Sequence, residues 1–327
     1  MTTYKEINGA NIEAVASDPS NPNDGQIWFN TTVSAVKGQI NFGAGSWSTG
    51  NVMNTAKANT AGCGTQTAGL NFGGFPGPGT TQNYGNTETY NGTNWAEVND
   101  LNTTKRGHSG FGTQTAALAF GGYTTDPGTN LALTELWNGT AWTEVNDLNT
   151  RRHDGLSGGG TTSAGITAGG TDSTAKTEVW NGTNWTEVND LNTARRGAAG
   201  AGVSTSALVF GGSDPQKNET EKWNGTNWTE VNNLNTARDF GSGAGVASTA
   251  VLCFGGRISG GATANTELYN GTNWAEQNNM GTARYTNGEA GSSVSALGFG
   301  GYIPGSNHTT ATEEWSAGDT TVTLTDA

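Results

Sequence analysis

The segment Thr177–Arg196, TEVWNGTNWTEVNDLNTARR, constrains the fold more than any other, because close copies of it recur along the whole chain. Counted at the second tryptophan of each copy, the series is Trp47, Trp95, Trp142, Trp185, Trp228 and Trp274, with steps of 48, 47, 43, 43 and 46 residues. A glycine pair follows each by 26 or 27 residues: Gly73-Gly74, Gly121-Gly122, Gly169-Gly170, Gly211-Gly212, Gly255-Gly256 and Gly300-Gly301. A fixed period of this kind means one supersecondary unit, repeated, with each copy burying its apolar face against the next.

Within a unit, apolar runs such as Ser206–Phe210 (SALVF) and Thr249–Phe254 (TAVLCF) are too short for a helix and read as strands buried on both faces. The glycine pair ends the run, where positive φ and close backbone approach are needed. Thr-Glu-x-aromatic, Asn-Gly-Thr and Trp-x-Glu then read as two strands joined by a tight Asn-Gly turn of type I′. The five Asn-Gly-Thr sites, at Asn91, Asn138, Asn181, Asn224 and Asn270, also match the N-glycosylation pattern, but each sits where such a turn is expected. A fourth strand follows the Asn-Thr-Ala-Arg segment. Units fall at about 54–101, 102–148, 149–191, 192–234, 235–280 and 281–315. Four antiparallel strands in about 45 residues point to propeller blades, and so much Gly, Thr and Asn excludes the helical repeats of similar period.

The order basic residue, apolar strand, Gly-Gly, aromatic, then Trp resembles the kelch-repeat β-propellers over about residues 39–315. The resemblance implies an all-β, six-bladed kelch-like β-propeller with four antiparallel strands per blade, closed by an N-terminal strand that carries Trp47 into the last blade. In the alternative, Thr320–Thr325 supply that outer strand and Trp47 starts a seventh blade. Ahead of the repeats, DPSNPNDGQIWFNTT (Asp18–Thr32) resembles the N-terminal segments of structural proteins of tailed bacteriophages, especially cyanophages. That resemblance implies a virion protein such as a tail fibre, tail tip or surface-displayed propeller, made in the host cytoplasm. The expected organisation is an arm and short hairpin over 1–38 that anchors the chain in the particle, the propeller over 39–315, and a C-terminal strand or tail over 316–327. Gln26–Asn30 and Val33–Phe42 read as the hairpin's strands.

Of 327 residues, 15 are Lys or Arg and 28 Asp or Glu, giving a net charge of −13. This disfavours nucleic acid or an anionic membrane as main partner, since both reward clustered cations. No stretch approaches 18 apolar residues, and Met1–Ile7 lacks the basic start and apolar core of a signal peptide. Cys63 and Cys253 occupy different repeat positions and read as free, buried thiols.

A cation lies ten residues after each repeat tryptophan: Lys57, Lys105, Arg152, Arg195, Arg238 and Arg284. Glu88, Glu135, Glu178, Glu221 and Glu267 precede the tryptophans by seven, with Glu314 taken as the sixth. Whatever recurs in every unit serves construction, so these charges are expected to pair within the scaffold. The Asn-Asp-Leu-Asn segments (99–102, 146–149 and 189–192) lack the carboxylate density of a Ca²⁺ loop and read as Asx turns. His108, His153 and His308 share no repeat position, and no metal, cofactor or catalytic set is expected from them.

The variable segments carry the functional expectation. Loops after the glycine pairs and those joining the units emerge on one face, and their divergence on a regular scaffold is where specificity is placed. Candidate binding residues are Phe75, Tyr84, Tyr123, Asp126, Asp172, Asp214, Arg257, Tyr302 and His308. The aromatics among them suit stacking on a sugar ring. The expected function is a non-enzymatic virion protein that binds a host surface glycan or protein. The alternatives are a purely structural decoration or spacer protein and a carbohydrate-active enzyme with paired carboxylates. Expected partners are other virion proteins through the N-terminal arm, the host ligand and, as a further option, a second copy of the chain.

Overall fold

The computed structural model describes residues 13–17, 27–41, 44–77, 82–126, 128–154, 159–171, 174–213, 215–305 and 307–323. It divides into two compact units, one of Met1–Ser46 with Ala317–Ala327 and one of Trp47–Ser316. Among the described residues all regular structure is β-strand apart from isolated turns, and the larger unit has a propeller-like all-β architecture.

In the smaller unit a four-stranded sheet runs Glu13–Val15, Ile27–Asn30, Ala35–Asn41, Asp319–Thr323. The central hairpin pairs Ile27 with Gly38 and Asn30 with Ala35, as the alternation of the sequence predicts. Asp319–Thr323 pairs antiparallel with Ala35–Asn41, so Thr320–Thr323 are not the outer strand of the last repeat. The arm residues 1–12 and 18–26, with most of the phage-like segment, lie outside the described residues.

Among the described residues of the larger unit six four-stranded sheets repeat. The fourth is representative, with Ala199–Val203, Ser206–Phe210, Thr220–Trp223 and Trp228–Val231 hydrogen-bonded in that order. The sixth comprises Gly288–Gly291, Ser295–Phe299, Thr312–Ser316 and, beside the last, Ser46–Gly50 from the start of the chain. Trp47 is thus in the same sheet as Trp315, with ring centroids 5.6 Å apart.

Each first strand packs against the first strand of the next sheet, and Gly288–Gly291 packs against Ala61–Thr65. Glycine is required there: a Cβ on Gly243 would stand 2.6 Å from the Gly200 carbonyl.

The recurring tryptophans tie sheet to sheet. The indole N–H of Trp142 donates to Thr87 Oγ1, Trp185 to Thr134, Trp228 to Thr177 and Trp274 to Thr220, always one sheet back. Trp95 donates to Thr312 of the sixth sheet, and Trp47 to Thr266 of the fifth.

The glycine pairs make a second set of links. Gly211 and Gly212 have φ of 69° and 115°, and the N–H of Gly212 donates to the Arg238 carbonyl at 2.9 Å. A Cβ on Gly211 would lie 2.5 Å from that oxygen. The second glycines of the other pairs repeat this bond to the next cation's carbonyl, the last being Gly301 to Lys57.

Two details differ from expectation. Only the glycine of each Asn-Gly turn has positive φ, so the turn is not type I′, which needs both residues left-handed. Tyr90 pairs with Trp95 across four loop residues, and Asn91 Oδ1 accepts the N–H groups of Thr93 and Asn94. This Asx arrangement fixes the loop without a second left-handed residue. Also, the sixth acid is Glu313, not Glu314. In register, Phe299 pairs with Thr312 as Phe254 pairs with Thr266, which places Glu313 where Glu267 stands.

Candidate binding cup

Around each recurring cation the scaffold is polar and buried. Arg195, fully buried, donates from Nη1 to the Gly211 and Glu219 carbonyls and from Nη2 to Glu221 Oε1 at 2.7 Å. Glu221 also accepts the backbone N–H groups of Asn192 and Thr193 and the Asn192 side-chain amide, so all four lone-pair directions are used. Arg152, Arg238 and Arg284 pair the same way with Glu178, Glu267 and Glu313. The lysines do less. Lys57 Nζ reaches the Asn86 carbonyl but stands 3.8 Å from Glu88, and Lys105 meets Glu135 at 3.1 Å. Burial pulls the Lys57 ammonium down to about 8, against the attraction of Glu88. These six cations face the scaffold, not a ligand.

The Asn-Asp-Leu-Asn segments are also committed to it. Asp147 Oδ1 accepts the Thr134 N–H, Leu148 is buried, and Asn149 donates to Glu178. Among the described residues no group of three or more His, Cys, Asp or Glu side chains could hold a metal. Cys63 and Cys253 are free and buried, and burial raises both thiols, Cys253 to about 12.

The residues that follow each cation behave differently. Two positions on stand Asn59, Gly107, Asp154, Gly197, Phe240 and Thr286, all at φ between 48° and 58°. Their backbones form a closed cycle of hydrogen bonds. Gly107 N–H donates to Asn59 O, Asp154 to Gly107, Gly197 to Asp154, Phe240 to Gly197, Thr286 to Phe240, and Asn59 to Thr286. Glycine, Asn and Asp tolerate this left-handed conformation, whereas Phe240 and Thr286 adopt it at a cost that the cycle must offset.

One position after each cation stand Ala58, Arg106, His153, Arg196, Asp239 and Tyr285. Five of them meet, by an isolated backbone bridge, the residue that follows a glycine pair: Ala58–Phe75, Arg106–Tyr123, Arg196–Ser213, Asp239–Arg257 and Tyr285–Tyr302. His153 does so through Thr171, whose Oγ1 accepts the His153 N–H at 2.7 Å. The two variable rows form the wall of a cup of about 420 Å³, floored by residues of the hydrogen-bonded cycle. Its volume is within the range of small-ligand sites.

Five of the nine expected binding residues, Phe75, Tyr123, Arg257, Tyr302 and His308, line this cup. Tyr84 opens a third strand and does not line it; Asp126 lines a separate outer cavity with Asn83 and Thr124; Asp172 and Asp214 lie outside the described residues. Arg106, Arg196 and Tyr285, which the sequence reading did not single out, complete the wall with His153, from which no site was expected, while Asp154 and Phe240 line the cup from the floor.

The cup is cationic and aromatic. The Arg106 guanidinium lies over Phe75 at 4.3 Å and Tyr123 at 5.2 Å, and Arg257 over Phe240 at 5.2 Å and Tyr285 at 5.9 Å. Arg257 is also held by a two-pronged bond to buried Asp239. Asp154 has His153 Nε2 at 3.4 Å; burial raises its carboxyl above the usual range against the pull of His153, Arg196 and Arg106. Burial lowers His308, which packs edge-on against Phe75 and Tyr302.

No protein-family model matches the chain, and no curated protein shows detectable similarity to it.

Proposed function

We propose that the larger unit is a six-bladed propeller closed by the Ser46–Gly50 strand, and that it is a non-enzymatic binding module taking a host surface glycan in the cup. Six blades and closure are supported by three cyclic sets of bonds: tryptophan to threonine, glycine to cation carbonyl, and the left-handed cycle of the floor. The binding reading is carried by one observation: Phe75, Tyr123, Arg257, Tyr302 and His308, far apart in sequence and drawn from several repeats, converge on one cavity. Aromatic faces beside fixed polar groups suit stacking and hydrogen bonding to a pyranose ring. Placement in a tailed-phage virion, anchored by the N-terminal arm, rests on the resemblance of the Asp18–Thr32 segment.

The test is a glycan array with the purified chain, followed by mass spectrometry of the bound saccharides. Binding that is lost in Tyr123→Ala and leaves the saccharide intact is expected; an array without signal would overturn the reading.

A carbohydrate-active enzyme is the second reading, favoured by Asp154, a carboxyl of raised affinity for its proton in a central cavity. Against it, the nearby Asp239 is 1% exposed and committed to Arg257, so it is not offered as the second carboxylate. Release of new reducing ends by the parent chain, absent in Asp154→Asn, would establish the second reading over the first.

A further inference from the structure

The cup's charge runs against that of the molecule. The chain carries −13 overall, yet the cup gathers Arg106, Arg196 and Arg257, against the carboxylates Asp154 and Asp239. Of these, Asp239 is consumed by Arg257 and Asp154 has His153 beside it. Arg106 differs from the six scaffold cations, all of which are buried against carboxylates: it is half-buried, and no described residue accepts a hydrogen bond from its side chain or forms an ion pair with it. With rings over its planar group at 4.3 and 5.2 Å, the N–H edges are what remain for a ligand. Such a planar fork matches the two oxygens of a carboxylate better than any neutral hydroxyl pattern. The rings that hold it offer the apolar surface on which a sugar stacks.

We infer that the cup selects acidic saccharides, specifically pyranose rings bearing a carboxylate, with Arg106 as the residue that reads the carboxylate. This rests on the glycan-binding reading above and narrows it to a ligand class. His153, bonded through Nδ1 to Asn130 and Thr171, keeps the adjoining wall polar, so ring hydroxyls also find partners. The floor contributes none of its six backbone N–H groups, because the cycle uses them all. Selection therefore falls to the side chains of the wall.

The experiment compares three probes by calorimetry: an oligoglucuronate, its carboxyl-reduced counterpart of the same linkage, and a sulfated oligosaccharide of similar length. The oligoglucuronate is expected to bind at least tenfold more tightly than the reduced form at 50 mM salt, with the advantage shrinking at 300 mM salt as exposed charges are screened. Arg106→Gln is expected to abolish the difference, bringing the affinity for the oligoglucuronate down to that for the reduced form, in a protein whose circular dichroism shows it still folded. Equal binding of acidic and reduced forms, or tighter binding of the sulfated probe, overturns the inference and leaves the glycan reading standing. Failure of all three probes in a folded protein, with a glycan array equally silent, removes both.

Discussion

Exchanging the two kinds of scaffold cation tests the account of the repeat directly. In Arg195→Lys the attraction to Glu221 is preserved, but one ammonium replaces a fork that also holds the Gly211 and Glu219 carbonyls at 3.0 and 2.9 Å. The bond to Gly211 is buried and that to Glu219 part-buried; each lost bond to a charged donor costs about 1.5 kcal/mol, which gives about 3 kcal/mol for the substitution. For a unit of this size, that corresponds to a fall of roughly 6 °C in melting temperature. The converse, Lys105→Arg, places a fork where an ammonium now meets only Glu135 at 3.1 Å, and should add about 1 kcal/mol. Equilibrium denaturation of the parent and both variants, with circular dichroism and tryptophan fluorescence as probes, measures the two differences. A loss below about 0.5 kcal/mol for Arg195→Lys, together with no gain for Lys105→Arg, would refute the claim that carbonyl bonding by the fork, and not charge alone, secures the repeats.

Thr286, a β-branched residue at φ 54° in the floor, should be relieved by Thr286→Asn. The expected gain is about 1 kcal/mol by denaturant titration, and a loss would show that the cycle imposes no strain. Lys57 is held at about 8 in the folded chain, below its usual value of 10.5. Both states are protonated below pH 8, and above it the unfolded chain binds the proton more tightly. Stability conferred through Lys57 should therefore rise between pH 8 and 10.5, by up to roughly 3 kcal/mol, and Lys57→Arg should remove the rise. Cys63 and Cys253, buried with raised thiols, should resist iodoacetamide at pH 8 in the native protein and react on unfolding. Rapid labelling of either would contradict their placement.

The scaffold was legible because its physics repeats. Every outer-strand tryptophan needs the same threonine, and every glycine pair meets the same carbonyl, so these residues recur in register. The acid of the last unit was misassigned because TEEW offers two adjacent glutamates, and only strand pairing shows that Glu313 faces Arg284 while Glu314 takes the Tyr90 hydroxyl. The cup was legible in part. Residues after the glycine pairs stood out as variable loops, whereas Arg106, His153 and Tyr285 sit one residue beyond a constant cation, hidden by the regularity beside them. Change at a fixed position next to an invariant one was the signal that could have found them. The floor left no such trace, since its bonds are between peptide groups and its left-handed residues include Phe240 and Thr286, which nothing in their chemistry marks for that role.

The sixth sheet joins Ser46–Gly50 to strands that begin at Gly288 and end at Ser316. During synthesis Ser46–Gly50 has no neighbour in its sheet until Thr312–Ser316 has been made. The same stretch carries Tyr302 and His308 of the cup. Cutting the chain before Gly288 therefore removes the neighbours of Ser46–Gly50 and two aromatic members of the cup at one stroke, so the sixth sheet and the cavity lining stand or fall together.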